Sequence, residues 1–382
     1  MSHAYSWGAM TLLLSNAEIE SVLDMPACIA AVEDAYREHA ARRAVNRPRT
    51  DLYAPHPDRA DAVYVFKSFE GLLPGAGVVA LRINSDVIAW SEYAGSVRKD
   101  KQPLAGGRWV GLVLLFSTNT GEPLAIFPDG VAQRMRVGAT NALAARHLAR
   151  TDARVYALLG AGWQAGAQLQ GIAAVRRLDE VRVYSPNPAH REAFAGEWSE
   201  KLGLPIRAVD SAQAAAEGAD VLGTATNAVR AVVEPDWLRP GMHVSCVKRS
   251  ELGEAALHRC HRVVVHANAG APQNYLIGLG DRVVEAHDPV DLVQRVRDSQ
   301  PISEAELGAA SRTRAPEEPA LADVLAGEAP GREDEQEINA FVNNIGLGIQ
   351  FAAVGALAYA RARQRGLGRE LPTDWLTEDV HP

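Results

Sequence analysis

Cysteine is scarce in this chain. Cys28, Cys246 and Cys260 are its only three among 382 residues. They lie far apart, with no Cys-x-x-Cys pair and no Cys/His cluster at metal-ligand spacing, which argues against a disulfide framework or a zinc site and leaves three buried thiols. Positive charge is not in excess either: 39 Lys and Arg face 47 Asp and Glu, for a net charge of −8. Nucleic acid and anionic membranes are therefore poor candidate partners. No stretch reaches the roughly 18 apolar residues of a membrane span. The opening Met1-Ser-His-Ala-Tyr-Ser-Trp7 has no basic segment ahead of an apolar core, and a cytoplasmic location is expected. Internal repeats and long low-complexity segments are absent as well. The expected partner is a small molecule.

What is present is an ordinary globular composition, 47% hydrophobic and 23% charged, over a length that suits two domains. The segment that organises the rest is Val155-Tyr-Ala-Leu-Leu-Gly160-Ala-Gly162-Trp163-Gln164-Ala165. Val155 to Leu159 is too short for a helix and does not alternate, as expected of a buried parallel strand. Gly160 and Gly162 allow a tight turn and a close approach of backbone N–H groups to a pyrophosphate. The helix opening near Trp163 aims its positive end at that charge, and the small Ala165 lets helix and strand pack closely. This is the dinucleotide-binding fingerprint in its G-x-G-x-x-A form. Further strands are expected at Val181–Tyr184, Asp220–Thr226, His243–Val247 and Arg262–His266.

The end of the second of these strands bears on the cofactor. An NAD site usually places an acid about 20 residues beyond the glycines, for the ribose 2′-hydroxyl. Here Tyr184 is followed by Ser185-Pro-Asn187-Pro-Ala-His190-Arg191, with no acid before Glu192. Hydroxyl, amide and guanidinium groups suit a 2′-phosphate. NADP(H) is the expected cofactor and NAD(H) the alternative, in which Arg191 is a solvated helix residue.

Before this domain, helices are expected from Asn16 and from Pro26, then strands over Ala62–Lys67 and Val78–Asn84. The polar stretch Ser91–Arg108 reads as a loop. Val110–Ser117 and Pro123–Phe127 read as a hairpin, and an alanine-rich helix is expected from Val137. Near the end, Phe341–Arg363 is helix-capable and apolar enough to need a partner surface. The fold class is α/β: a Rossmann-type dinucleotide-binding domain over 137–334, and a discontinuous α+β substrate and dimerisation domain over 1–136 and 335–382.

Several short motifs together resemble the ornithine cyclodeaminase and mu-crystallin family over most of the chain. They are Val22-Leu-Asp-Met25 followed by Glu33-Asp-Ala35, Gly121-Glu-Pro-Leu-Ala-Ile126, Arg136-Val-Gly-Ala139, the fingerprint itself, Ala225-Thr226-Asn227, Pro240-Gly-Met-His-Val244, Gly331-Arg332, and Ile345-Gly-Leu-Gly-Ile-Gln350. The resemblance implies a homodimer built on the first domain, a nicotinamide cofactor on the second, and a small amino or imino acid between them. Family members include cyclodeaminases, amino-acid dehydrogenases, cyclic imine reductases and a cofactor-binding mammalian protein, so fold alone does not choose the chemistry.

Carried onto this chain, the family's carboxylate-binding arginine is Arg136, with Val137 replacing the usual threonine after it. Arg49 matches a second arginine. Arg82 stands where relatives use a cleft lysine, with Lys67 as the alternative. Thr226, Asn227 and Val247 are expected beside the cofactor. Where cyclodeaminases carry Val-Gly-x-Asp, this chain has Val247-Lys248-Arg249-Ser250-Glu251. Ser250 stands at the aspartate's place and Glu251 one residue on, so Glu251 is the candidate for handling a proton. Lys248 and Arg249 would either meet a second anionic group on the substrate or simply be solvated. The expected activity is NAD(P)-dependent interconversion of an imino acid and an amino acid. The alternatives are a lyase that cyclises its substrate with release of ammonia, and a cofactor-binding protein with little turnover.

Overall fold

The computed structural model describes residues 10–93, 96–228, 230–268, 273–276, 283–284, 295, 298, 318–343 and 345–378, with the backbone alone at 90–93, 96–99, 273, 276, 283 and 284. The first half runs β1 (Met10–Leu13), α1 (Asn16–Val22), α2 (Met25–Ala40), β2 (Val45–Asn46), β3 (Thr50–Pro55), β4 (Ala62–Leu73), β5 (Val78–Tyr93), β6 (Ser96–Gln102), β7 (Val110–Ser117), β8 (Pro123–Pro128) and α3 (Asp129–Leu148). Then come β9 (Val155–Leu159), α4 (Trp163–Val175), β10 (Glu180–Tyr184), α5 (Pro188–Leu202), β11 (Ile206–Ala208), α6 (Ala212–Ala216), β12 (Val221–Thr224), β13 (His243–Cys246), α7 (Arg249–Leu257) and β14 (Arg262–Val265). The chain closes with β15 (Gln273–Leu276), β16 (Val283–Val284), α8 (Leu321–Ala326), β17 (Asn339–Val342), α9 (Gly348–Arg365) and β18 (Arg369–Pro372).

The strands form two sheets. The larger has the order β16-β15-β3-β4-β5-β7-β8-β1-β18, with β2 on β4 and β6 on β5. The second has the order β11-β10-β9-β12-β13-β17-β14 and is parallel throughout. Its chain leaves β9 on one side towards β10 and returns on the other to β12, so the strand order reverses at the carboxyl ends of β9 and β12. A ligand crevice opens at such a reversal.

Helices α2, α3 and α9 cover one face of the large sheet. Val32, Tyr36, Phe127, Leu143 and Phe351 are fully buried in that core. The first two helices start on local signals: Ser15 and Glu18 form a capping box on α1, and Asp24 accepts from Ala27 N–H at 2.9 Å ahead of Pro26 in α2.

Helix α3 joins the sheets, and its crossing with α4 is held by close backbone approach. A Cβ on Gly138 would lie 2.4 Å from the Ala167 carbonyl oxygen, and one on Gly171 would lie 2.5 Å from that of Gly138. Two arginines then satisfy the carbonyls that end the helix. Arg176 donates to those of Ala145 (2.7 Å), Ala149 (2.9 Å) and Arg150 (2.8 Å), while Arg332 offers its backbone N–H to His147 (2.8 Å) and Nε to Leu148 (2.8 Å).

The structure corrects four sequence expectations. Ser91–Arg108 is largely strand, because β5 and β6 form an antiparallel ribbon whose ladder satisfies the backbone whatever the side-chain polarity. The stretch from Phe341 is not one helix: Phe341 lies in β17, and α9 starts at Gly348. Strand β17 therefore places part of 335–382 in the second sheet, whereas β15 and β16, from within 137–334, pair into the large one. Finally, α3 begins at Asp129 and crosses the expected boundary at 136/137.

Since the α3/α4 crossing has no room for a side chain, Gly171→Val is expected to cost about 1–3 kcal/mol. The thermal midpoint should fall accordingly. Gly196→Ala, at a site in α5 with nothing within 4 Å of the added carbon, should not lower it.

Candidate functional site

The turn after β9 is built as the fingerprint requires. Gly160 has φ +119°, and a Cβ there would lie 2.3 Å from the Ala225 carbonyl oxygen, so no other residue fits. A Cβ on Gly162 would meet nothing within 4 Å, and no side chain caps the N-terminus of α4. The residues present thus fit a pyrophosphate: the helix start carries no side-chain cap, Gly162 leaves open space before it, and the helix dipole favours an anion. Ala165 is fully buried. Trp163 is exposed, with the Arg134 guanidinium 5.4 Å from its ring centre, and Gln164 Nε2 donates to the Arg134 carbonyl at 3.4 Å. The loop is thereby tied to α3.

Arg191, expected to face a 2′-phosphate, is instead folded back. It is buried, donates to the Ser185 carbonyl (3.1 Å), pairs with Asp210 (2.6 Å) and lies over the Tyr184 ring. Asn187 caps α5 through His190 N–H, and Ser185 Oγ donates to the Asn187 carbonyl at 3.4 Å. The sequence shows a guanidinium near the ribose end but not the aspartate that claims it.

Glu251 is also placed otherwise than a proton carrier would be. Fully buried, it accepts from Thr226 N–H and Oγ1 (both 2.6 Å), Thr224 Oγ1 (3.0 Å), Lys248 N–H (3.0 Å) and Val247 N–H (3.1 Å). Five donors use up its acceptor positions and bind the loops after β12 and β13 to each other. Ser250 is exposed in the first turn of α7. Lys248 is exposed, and Arg249 is committed to Glu254 (2.7 Å) and Glu318 (2.9 Å). Asn227 reaches Asp100 of β6 at 3.4 Å. His243 is a fully buried core residue, its imidazole brought down to about 3 by burial and by Arg332 and Arg176.

The four expected substrate-binding cations fall on or beside one face of the large sheet. Strand alternation puts Asp51, Lys67, Asn84 and Gly111 in one row across β3, β4, β5 and β7, and Phe69, Arg82, Val113 and Phe127 in the next. Arg82 is clamped by Asp129, through Nε at 2.7 Å and Nη2 at 2.6 Å. Arg49 pairs with Asp51 at 2.8 Å. From α3, Arg136 joins them over shared rings: Arg49 and Arg82 lie 5.9 and 5.1 Å from the centre of Phe69, and Arg82 and Arg136 lie 5.3 and 5.2 Å from that of Phe351.

Among the described residues, Arg136 has no carboxylate partner. Its Nη groups donate to the amide oxygens of Gln350 and Gln133, both at 2.9 Å, and its Nε is buried without an acceptor. Burial, with Arg82 beside it, brings its guanidinium down to about 9. Gln350 is fixed in turn by donating to Tyr36 Oη (3.3 Å) and Thr140 Oγ1. An unpaired buried guanidinium is costly to the fold and is a strong anchor for an incoming carboxylate.

A family model, that of the ornithine cyclodeaminase/mu-crystallin family, matches residues 98–366. The chain belongs to this family. Among relatives of this ornithine cyclodeaminase/mu-crystallin protein, a putative dehydrogenase of Rhizobium meliloti is 30% identical over 359 residues, covering 93% of this chain and 97% of its own. A Delta(1)-pyrroline-2-carboxylate reductase of Bacillus cereus is 27% identical over 366 residues, covering 94% and 99%. The structure of Thermococcus litoralis Delta(1)-pyrroline-2-carboxylate reductase in complex with NADH and L-proline superposes with a TM-score of 0.71 at 28% identity, covering 94% of this chain and all of that one. Among the described residues, no group of three or more His, Cys, Asp or Glu could hold a metal, and no helix is long and apolar enough to cross a membrane.

Sequence reading missed Asp129, Asp51, Gln350, Phe69 and Phe351. Asp129 stands seven residues, two helical turns, before Arg136, which is a legible same-face signal. The pairing of Phe69 opposite Arg82 depends on strand register and carries no such sign.

Two outcomes test these placements. Glu251→Ala should cost about 3 kcal/mol, because the loop N–H groups lose their acceptor, and should weaken NADH binding at least tenfold; an unchanged thermal midpoint would contradict the bridging role. Arg191→Ala should weaken NADH and NADPH alike by loosening the loop. A loss confined to NADPH in fluorescence titration would restore the 2′-phosphate contact.

Proposed function

We propose that this protein is a nicotinamide-dependent oxidoreductase that interconverts an imino acid and its amino acid by hydride exchange at the α-carbon. The observation that carries the reading is Arg136: a buried guanidinium held by neutral amides, among clamped arginines, on a helix tied to the dinucleotide loop. In this reading Arg136 binds the α-carboxylate, while Arg82 and Arg49 present their ion-paired guanidiniums along the same wall. Phe69 and Phe351 close the apolar side and limit water. A bound nicotinamide supplies or accepts the hydride. Gly160, Gly162, Trp163, Gln164 and Ala165 would hold its pyrophosphate, with Thr226, Asn227 and Val247 at the neighbouring strand ends. With Arg191 engaged elsewhere, Ser185 and Asn187 remain at the ribose end, and both NAD(H) and NADP(H) belong in the test. The relatives' names and the NADH and L-proline in the neighbouring structure support the same chemistry.

A guanidinium in the lysine's place clamps rather than donates. The substrate nitrogen therefore enters protonated or takes its proton from water. Against the lyase stand an exposed Ser250 where a carboxylate is needed and a Glu251 whose acceptor positions are filled. Against a mere binding protein stands Arg136, whose unpaired burial is hard to account for without an anion to bind.

A homodimer is proposed through the outer face of the large sheet. Leu13, Leu52 and Tyr64 are exposed there, and Phe66, Leu112 and Leu114 are half-buried beside them, a continuous apolar surface of the kind that marks an interface.

The direct test is nicotinamide absorbance with cyclic imines, or with 2-oxo acids plus ammonia or methylamine, with ammonia release from ornithine followed in parallel. Cofactor oxidation by one acid supports the reductase; ammonia from ornithine without net cofactor change would replace it by the lyase. Arg136→Gln should lower kcat/KM roughly a hundredfold, about 3 kcal/mol for the lost charged contact, and leave cofactor affinity within twofold. Because the charged form of Arg136 is the binding form and its guanidinium titrates at about 9, anchoring is complete below that pH and lost above it. The inhibition constant of a carboxylate with no amino group, such as cyclopentanecarboxylate, should be flat to pH 8 and rise about tenfold per unit beyond pH 9. A flat profile to pH 10.5 would contradict the lowered titration of Arg136, since a guanidinium that keeps its proton binds a carboxylate throughout that range, and the anchoring role is then decided by Arg136→Gln.

A further inference from the structure

The cations of the site differ in how they are neutralised. Arg49 has Asp51, Arg82 has Asp129, and Lys101 at the far end of the face has Asp86 at 2.8 Å. Lys67, in the row with Asp51, is not free. Among the described arginines of this face, Arg136 alone has only amide acceptors. The Arg82–Asp129 pair is also the most enclosed: side-chain exposures are 7% and 11%, against 26% for Arg49.

Its geometry is built into the sheet. A Cβ on Gly111 would lie 2.1 Å from Asp129 Oδ1 and 2.3 Å from Asn84 Nδ2, so the glycine opens the space into which both side chains fold. Asn84 Nδ2 donates to Asp129 Oδ2 at 3.2 Å and to the Val110 carbonyl at 3.3 Å. The carboxylate is held from two sides.

We infer that Asp129 determines specificity: by neutralising and clamping Arg82 it leaves the site one uncompensated guanidinium, and so restricts the substrate to an imino or amino acid with a single carboxylate and an uncharged side chain. The inference rests on the imino acid reading above and names its substrate class. A second carboxylate on the substrate would have to displace Asp129 from Arg82 or remain buried without a cation. An aminoalkyl side chain would have to compete for carboxylates already paired. Both alternatives cost desolvation without a new partner.

The test compares kcat/KM for an uncharged substrate, pyrroline-2-carboxylate or pyruvate with methylamine, against oxaloacetate with ammonia, in the wild type and in Asp129→Asn. The asparagine keeps the shape and an acceptor for Arg82 but removes the charge. The wild type should prefer the uncharged acid at least a hundredfold, and the variant should move that ratio at least tenfold towards the dicarboxylate. A merely structural Asp129 would lower both rates alike, so an unmoved ratio overturns the inference, as does a wild type that prefers oxaloacetate. If the asparagine variant does not fold, Asp129→Ser, smaller and equally uncharged, takes its place. If no acid is turned over, the reductase reading fails by itself, and calorimetry with NAD+ and either L-proline or L-aspartate still decides the charge assignment. Aspartate binding gained only in the variant supports it. Aspartate bound by the wild type at least as well as proline, or neither amino acid bound, overturns it.

Discussion

Everything at this site depends on where α3 sits. The helix begins at the end of a strand of one sheet and leads into the first strand of the other, with Asp129 and Arg136 in its first half. Its position is set by backbone contact with α4, which carries the dinucleotide turn at its own start. Gly138 and Gly171 let the two helices approach until a methyl group no longer fits, and Arg176 and Arg332 anchor the far end through its last carbonyls. Arg136 and the glycine turn at the start of α4, the proposed substrate and cofactor groups, therefore belong to one packed pair of helices. Positioning of that kind supplies much of the rate in hydride chemistry, where the protein contributes orientation and field more than reacting groups.

The second theme is the management of buried charge. Arginines carried on an apolar sheet face are unfavourable unless their hydrogen bonds are satisfied. Here the solution is graded. Arg49 and Arg82 receive carboxylates, Arg176 and Arg332 receive carbonyls, and Arg136 receives only amides. The aromatic rings of Phe69 and Phe351 lie against the cationic faces and add an attraction that strengthens as water is excluded. Glu251 is the negative counterpart: a buried carboxylate stabilised by five donors, which holds two strand ends in register beside the crevice.

How much of this was legible in the residues differs by element. The fingerprint at Gly160–Ala165 was, because its glycines answer a local steric demand, a positive φ and a contact with Ala225, that any sequence must meet in the same way. The helices near Asn16 and Pro26 were legible through other local signals, apolar residues at helical spacing and a proline in the first turn. Arg136, Arg49, Arg82 and Lys67 could be nominated through the family resemblance, and the structure brings them to one face. The roles of Arg191 and Glu251 were not legible, since a charged residue announces its charge but not its counter-ion. The partners Asp210 and Thr226 lie 19 and 25 residues away and meet them only through the fold.

By itself, then, the sequence determined the α/β class and the dinucleotide turn, which are properties of short-range geometry, and through the family resemblance it nominated four cations that share one face. Tertiary structure decided which strands share a sheet, sending β17 into the parallel sheet and β15 and β16 into the other. It also decided which of those cations are already neutralised. Strand pairing and ion pairing join residues that are remote in the chain, and their energies depend on register and burial, which no local pattern records.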